Sequence, residues 1–139
     1  MKKKFILNCD EELECSVLAI NSHIKVYKLC WQMNNVLKLN FEKKNDLKVK
    51  EDLFFSRHQS FSENGVEYNL LANHSKKGCL IPTQKSVNFF LCIKNDFWEK
   101  EKKEFINKLK EIKDILLIFE LKTNSTKYMH RFIFNDTKN

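Results

Sequence analysis

Glycine and proline are almost missing from this chain: 139 residues hold only Gly65, Gly78 and Pro82, beside two alanines. Two isolated glycines cannot build a glycine-rich phosphate cradle, so Walker-type and dinucleotide-binding fingerprints are excluded. Arginine is scarce too. Of 25 basic residues only Arg57 and Arg131 are Arg and 23 are Lys, and an almost pure lysine surplus lacks the guanidinium forks that read bases and grip phosphates. No apolar run approaches the roughly 18 residues of a spanning helix. The start MKKKFILNCDEE has a basic head, but its apolar run ends after three residues and acids follow, so no secretion signal and no membrane association are expected. The cysteines (Cys9, Cys15, Cys30, Cys79 and Cys92) are odd in number and form no Cys-x-x-Cys pair, which predicts reduced thiols in a cytoplasm. With His23, His58, His74 and His130 scattered, no metal site and no cofactor are expected.

What the chain has in abundance is Lys, Asn and Phe, with 15 Asn and 12 Phe. These are residues with A/T-rich codons, so nucleotide composition accounts for much of the +7 net charge without invoking a polyanionic partner. The surplus is also spread: residues 1 to 50 carry +4, 51 to 100 carry zero and 101 to 139 carry +3. Hydrophobic residues at 42% and charged residues at 31% fit a soluble globular domain. No repeat or linker divides it, so a single domain over 1–139 is predicted, with a polar tail frayed from about 135.

Periodicity places the elements. Residues 4–9 form a strand candidate, and 15–20 is either a strand or a helix lead-in. Val26, Leu29, Cys30, Met33, Val36 and Leu37 recur at helical spacing, predicting a helix over about 22–38 capped by Asn21 or Ser22. Asn64-Gly65 between Phe54–Phe61 and Val66–Ala72 predicts a type I′ hairpin that pairs Phe61 with Tyr68. That register puts Phe61, Tyr68, Leu70 and Ala72 on one face and His58, Ser60, Glu67 and Asn69 on the other. Ser86–Ile93 alternates like a half-buried strand. Asp96 and Glu99 form a capping box for a second helix over about 97–113, whose inner face is Trp98, Phe105, Leu109 and Ile112. ILLIFEL, 115 to 121, is apolar on both faces and is expected at the sheet centre. Residues 128–134 are an edge strand or a short helix. This order predicts an α+β fold: a mostly antiparallel sheet with two main helices packed on one face, a split βαβ or ferredoxin-like arrangement with an extra strand, and an open polar opposite face.

Two stretches carry a resemblance: SHIKVYKLCWQMNN, 22 to 35, and IPTQKSVNFFL, 81 to 91. Together they resemble a small family of Bacteroidetes-type bacteria named for its signature, IPExxxVDY, across nearly the whole chain. The resemblance implies a bacterial lineage and attaches no mechanism. Ile81, Pro82 and Val87 match the signature, whereas Thr83, Asn88 and Phe89 stand where it has Glu, Asp and Tyr. Neither Thr nor a carboxamide titrates near neutrality, so an acid–base role for the motif is lost and a bend before an apolar strand survives.

No catalytic residue is assigned. His23 and Cys30 lie about 10 Å apart along one helix, too far for a nucleophile–base hydrogen bond. Lys76-Lys77-Gly78 reads as a solvated turn able to meet an anion. The candidate partner or ligand surface comprises Trp31 and Asn34 on the first helix; His58, Asn69, Asn88 and Phe90 on the expected open face; and Pro82 and Thr83 in the motif. The leading expectation is a non-enzymatic cytoplasmic domain that binds another protein or itself as a homodimer. The alternative is nucleic-acid (RNA) association through the lysine surface and the sheet face, with Phe90 as a stacking platform.

Overall fold

The computed structural model describes residues 15–122 and 127–134. The strand candidate at 4–9, Cys9 and the tail from 135 lie outside the described residues. Strand β1 (Ser16–Ser22) leads into helix α1 (Val26–Leu37), then β2 (Glu42–Lys50), β3 (Leu53–Phe61) and β4 (Glu67–Ala72). A two-residue pair, β5 (His74–Ser75) and β6 (Gly78–Cys79), precedes β7 (Phe89–Lys94), helix α2 (Trp98–Leu109) and β8 (Ile115–Leu121). Among the described residues the main sheet has six strands in the order β2-β3-β4-β7-β1-β8, and every pairing is antiparallel. The α+β expectation holds. Strands β8-β1-β7-β4 with α1 and α2 form the split βαβ unit, and β2 and β3 extend it by two strands rather than one.

Both helices cover one face. Leu18, Ile20, Leu70, Leu91 and Ile93 point up from the sheet to meet Leu29, Cys30 and Met33 of α1 and Trp98, Leu109 and Ile112 beside or within α2. Tyr68 stacks on Phe105 with ring centroids 5.6 Å apart, and the Trp98 indole N–H donates to Glu120 Oε2 at 3.0 Å. Lys102 reaches the other oxygen of that carboxylate at 3.1 Å, so one acid on β8 holds two residues of α2.

The opposite face is closed, which overturns the expected open polar surface. Val17, Ala19, Phe55, Leu71, Phe90 and Cys92 pack beneath Leu80, Ile81 and Val87 from the loop before β7, and beneath Met129 and Phe132 from the C-terminal segment. Every residue from Phe89 to Ile93 is therefore buried, and β7 is a central strand rather than a half-buried one. Val87 joins this second core instead of following Phe89 toward the helices. Residues 128–134 hold a 3-10 turn at Met129–Phe132, and of 15–20 all but Cys15 lies in strand β1.

Three further expectations are corrected. The hairpin register is shifted by one, with Ser60 opposite Tyr68 and Phe61 opposite Glu67. Gly65 alone takes positive φ (86°), and the Ser62 hydroxyl accepts the Val66 N–H at 3.0 Å, so the loop gains a residue over a type I′ turn. Consequently His58 and Ser60 share the helix face with Tyr68 and Leu70, while Asn69 lies on the other face. Neither predicted helix cap forms: Lys25 and Phe97 occupy the caps, Ser22 ends β1, and Asn95 Oδ1 accepts the Phe97 N–H at 2.8 Å. Lastly, among the described residues β8 is an edge strand, not a central one, and its Leu116 and Leu117 are 61% and 51% exposed.

Candidate functional site

The predicted site residues divide between scaffold and surface. Asn34 turns the chain out of α1: its backbone oxygen accepts the Leu39 N–H at 3.1 Å and its Oδ1 accepts the Phe41 N–H at 2.8 Å. Asn69 is buried on the second face, where its Oδ1 accepts from Arg57 Nε at 3.0 Å and Gln59 Nε2 at 3.3 Å, and its amide donates to Glu67 at 2.9 Å. Asn88 Oδ1 accepts the Ser22 N–H at 2.9 Å and ties the loop to the end of β1. Phe90 is 0% exposed and meets Phe132 edge to face at 5.4 Å, so the stacking platform is absent from the surface. Pro82 opens a 3-10 turn, Pro82–Gln84, instead of starting β7, and Thr83 beside it is exposed.

The motif loop is held from beneath by a residue the spacing did not single out. The fully buried Asn73 donates from Nδ2 to the carbonyls of Gln84 and Val87, both at 2.8 Å, and accepts the Ile81 N–H on Oδ1 at 3.0 Å. Its backbone adds bonds to Asn88 O and Leu80 N. A buried carboxamide that satisfies three backbone groups fixes the loop as a lid on the second core. Arg131 does the same from the C-terminal side, donating to Leu80 O at 2.8 Å.

His58 lies buried on the helix face. Burial first, and the Lys43 charge second, hold its imidazole below the ordinary histidine range, with Asp46 opposing. Its Nδ1 finds no hydrogen-bond partner among the described residues. Burial also pushes the Cys30 thiol up to about 12, which removes it as a nucleophile at neutral pH. Among the described residues no three His, Cys, Asp or Glu side chains are grouped to hold a metal ion, and no helix is long and apolar enough to cross a membrane. An open cleft of about 760 Å³ lies between the end of α1, the β3–β4 turn and α2. Its rim mixes Glu63, Glu101 and Glu104 with Lys38 and Lys108, and it offers no nucleophile–base pair.

The surface that stands out is the β8 edge. An edge strand presents a row of backbone N–H and C=O groups that recruit another strand unless charge, proline or irregularity blocks them. The far edge, β2, is blocked: Lys43, Lys44, Lys48 and Lys50 are exposed along it, and its register slips twice. Strand β8 has one acid in seven residues, Glu120, already engaged by Trp98 and Lys102. At the start of β8, Gln32 of α1 donates to the Asp114 carboxylate at 3.0 Å, and Ser22 Oγ at the end of β1 donates to the Asp114 carbonyl at 2.7 Å. On the outer side of α1, Tyr27 and Trp31 sit one turn apart and are 69% and 65% exposed. Trp31 is thus at the surface, as an interface anchor requires, and Tyr27 is the partner that i, i+4 spacing alone could have identified. No protein-family model matches the chain, and no curated protein matches it.

Proposed function

We propose that this chain is a non-enzymatic interaction domain of the bacterial cytoplasm that self-associates by joining the β8 edge of one copy to the β8 edge of a second. The observation that carries this reading is the apolar strand that ends the sheet among the described residues, with Leu116 and Leu117 exposed. A two-fold axis at Leu117 sets Leu116 opposite Ile118 of the second copy and Ile115 opposite Phe119, so the pairs within 115–119 are all apolar, and the next sets Glu120 opposite Asp114, each already engaged within its own chain. The same operation centred on Asp46 of β2 sets Lys44 opposite Lys48. Strand pairing alone buries less than the roughly 800 Å² per partner of a standard interface, so the association is of the weak, concentration-dependent kind.

Sedimentation velocity over a concentration series tests the proposal. Wild-type protein shifts toward dimer with rising concentration, while Leu116→Lys/Leu117→Lys stays monomeric with an unchanged circular dichroism spectrum. A wild type that remains monomeric at the highest concentration, or a double variant that dimerises equally, removes the reading.

The lysines of β2 give nucleic-acid association its remaining support, although Lys43 and Lys48 are paired with Asp46 and Glu51. Phosphate-driven binding weakens steeply with added salt, whereas an apolar strand interface changes little. The resemblance to the IPExxxVDY signature fits the structural role of Pro82 and Asn88 and assigns no chemistry.

A further inference from the structure

Residues 68 to 95 hold no acid, and the β5–β6 hairpin within them carries a thiol, an imidazole and, at its tip, Lys76 and Lys77. The short β5–β6 pair sets His74 directly opposite Cys79, and Cys79 Sγ lies 3.6 Å from His74 Nδ1. Cross-strand register enforces this contact, since directly opposed side chains project from the same side of the pair. The base of the hairpin is rigid: Asn73, just before it, is fully buried and hydrogen-bonded, and Arg131 Nη1 grips the Leu80 carbonyl at 2.8 Å and the Cys79 carbonyl at 3.5 Å. Gly78, at φ 156°, allows the tight return. Of the described cysteines, Cys15, Cys30 and Cys92 are buried, and Cys79 alone is partly exposed.

We infer that Cys79 and His74 form a reactive thiol–imidazole pair that exchanges with anionic low-molecular-weight disulfides, of which glutathione disulfide is the probe. The Cys79 S–H proton passes to His74 Nδ1, and the thiolate attacks one sulfur of the disulfide along the S–S axis. The old S–S bond breaks, a bond from Cys79 Sγ to the attacked sulfur forms, and the leaving thiolate recovers the proton from the imidazolium. Cys79 is oxidised to a mixed disulfide, the released half is reduced to a free thiol, and no other reactant is consumed. Lys76 and Lys77 at the hairpin tip and the Arg131 guanidinium favour a reactant with carboxylates.

The test is peptide-mapped mass spectrometry of the full chain during incubation with glutathione disulfide or with the uncharged 2-hydroxyethyl disulfide. Glutathione is expected on Cys79 before Cys15, Cys30 or Cys92, and mapping reads Cys9 separately. His74→Ala should slow modification of Cys79 at neutral pH by about tenfold and make the rate climb more steeply with pH, as loss of a paired base does. Lys76→Ala/Lys77→Ala should slow the glutathione reaction while sparing the uncharged disulfide. Circular dichroism confirms that each variant is folded. Unchanged Cys79 kinetics in the histidine variant, or modification of a buried cysteine as fast as Cys79, overturns the inference.

Discussion

Replacing Asn73 by Ala removes one side chain and strands three backbone groups: the carbonyls of Gln84 and Val87 and the N–H of Ile81. All three bonds are 3.0 Å or shorter, and the residue is fully buried, so water cannot replace them without opening the loop. Each buried group left unpaired costs about 1–3 kcal/mol, and because the three share one donor–acceptor side chain the losses combine to about 3–5 kcal/mol. A domain of this size has only about 5–15 kcal/mol to lose. Urea unfolding followed by tryptophan fluorescence should therefore show a midpoint lowered by a third or more of its wild-type value, and the thermal midpoint should drop by about 10 °C. Asn73→Asp should be no better, since a carboxylate keeps the acceptor for Ile81 N–H but faces two carbonyl oxygens. A loss below about 1 kcal/mol in the alanine variant would refute the reasoning, because the loop would then be held by apolar packing alone.

Phe90→Ala should cost about 3–5 kcal/mol in urea unfolding, as truncation of a buried aromatic does, and a variant of unchanged stability would contradict its place in the second core. Lys38 ends α1 at φ 59°, so Lys38→Gly should stabilise by about 1 kcal/mol, read as a raised thermal midpoint; a lowered one would contradict the left-handed turn. His58 titrates below its unfolded value, so the unfolded chain takes up a proton first as pH falls through about 6.5. Its effect on stability is nil above that pH and destabilising below it, and thermal scans from pH 7.5 to 5 should show a steeper decline for wild type than for His58→Gln.

The helices and the β3–β4 hairpin were legible because their apolar residues recur at the period of the element. Strand β2 was not, since EKKNDLKVK faces solvent on both sides and carries almost no apolar alternation to read. The doubly apolar ILLIFEL reads as central because its pattern suits burial on both faces, and its place at the edge of the described sheet is the mismatch on which the proposed interface rests. The hairpin register slipped because Asn64 stays at negative φ while Ser62 supplies the extra hydrogen bond, a choice invisible in the dipeptide Asn-Gly. Phe90 and Cys92 were assigned to an open face because the lid that covers them, Leu80 to Val87 together with Met129 and Phe132, is contributed by segments without strand or helix periodicity. Of the polar-capable positions Trp31, Asn34, Asn69 and Asn88, only Trp31 stands exposed. Asn34 and Asn88 hold backbone and Asn69 joins a buried side-chain network, a distinction that depends on tertiary neighbours and not on spacing.

Strand addition is most directly tested by hydrogen–deuterium exchange of the β8 amides at low and high protein concentration. Alternate amides point away from β1 and meet no strand among the described residues. Self-association through this edge predicts that these outward amides of residues 115–121 become protected as concentration rises, and that Leu116→Lys/Leu117→Lys abolishes the change. Concentration-independent exchange across β8 in wild-type protein that nevertheless dimerises would place the interface elsewhere and contradict the proposal.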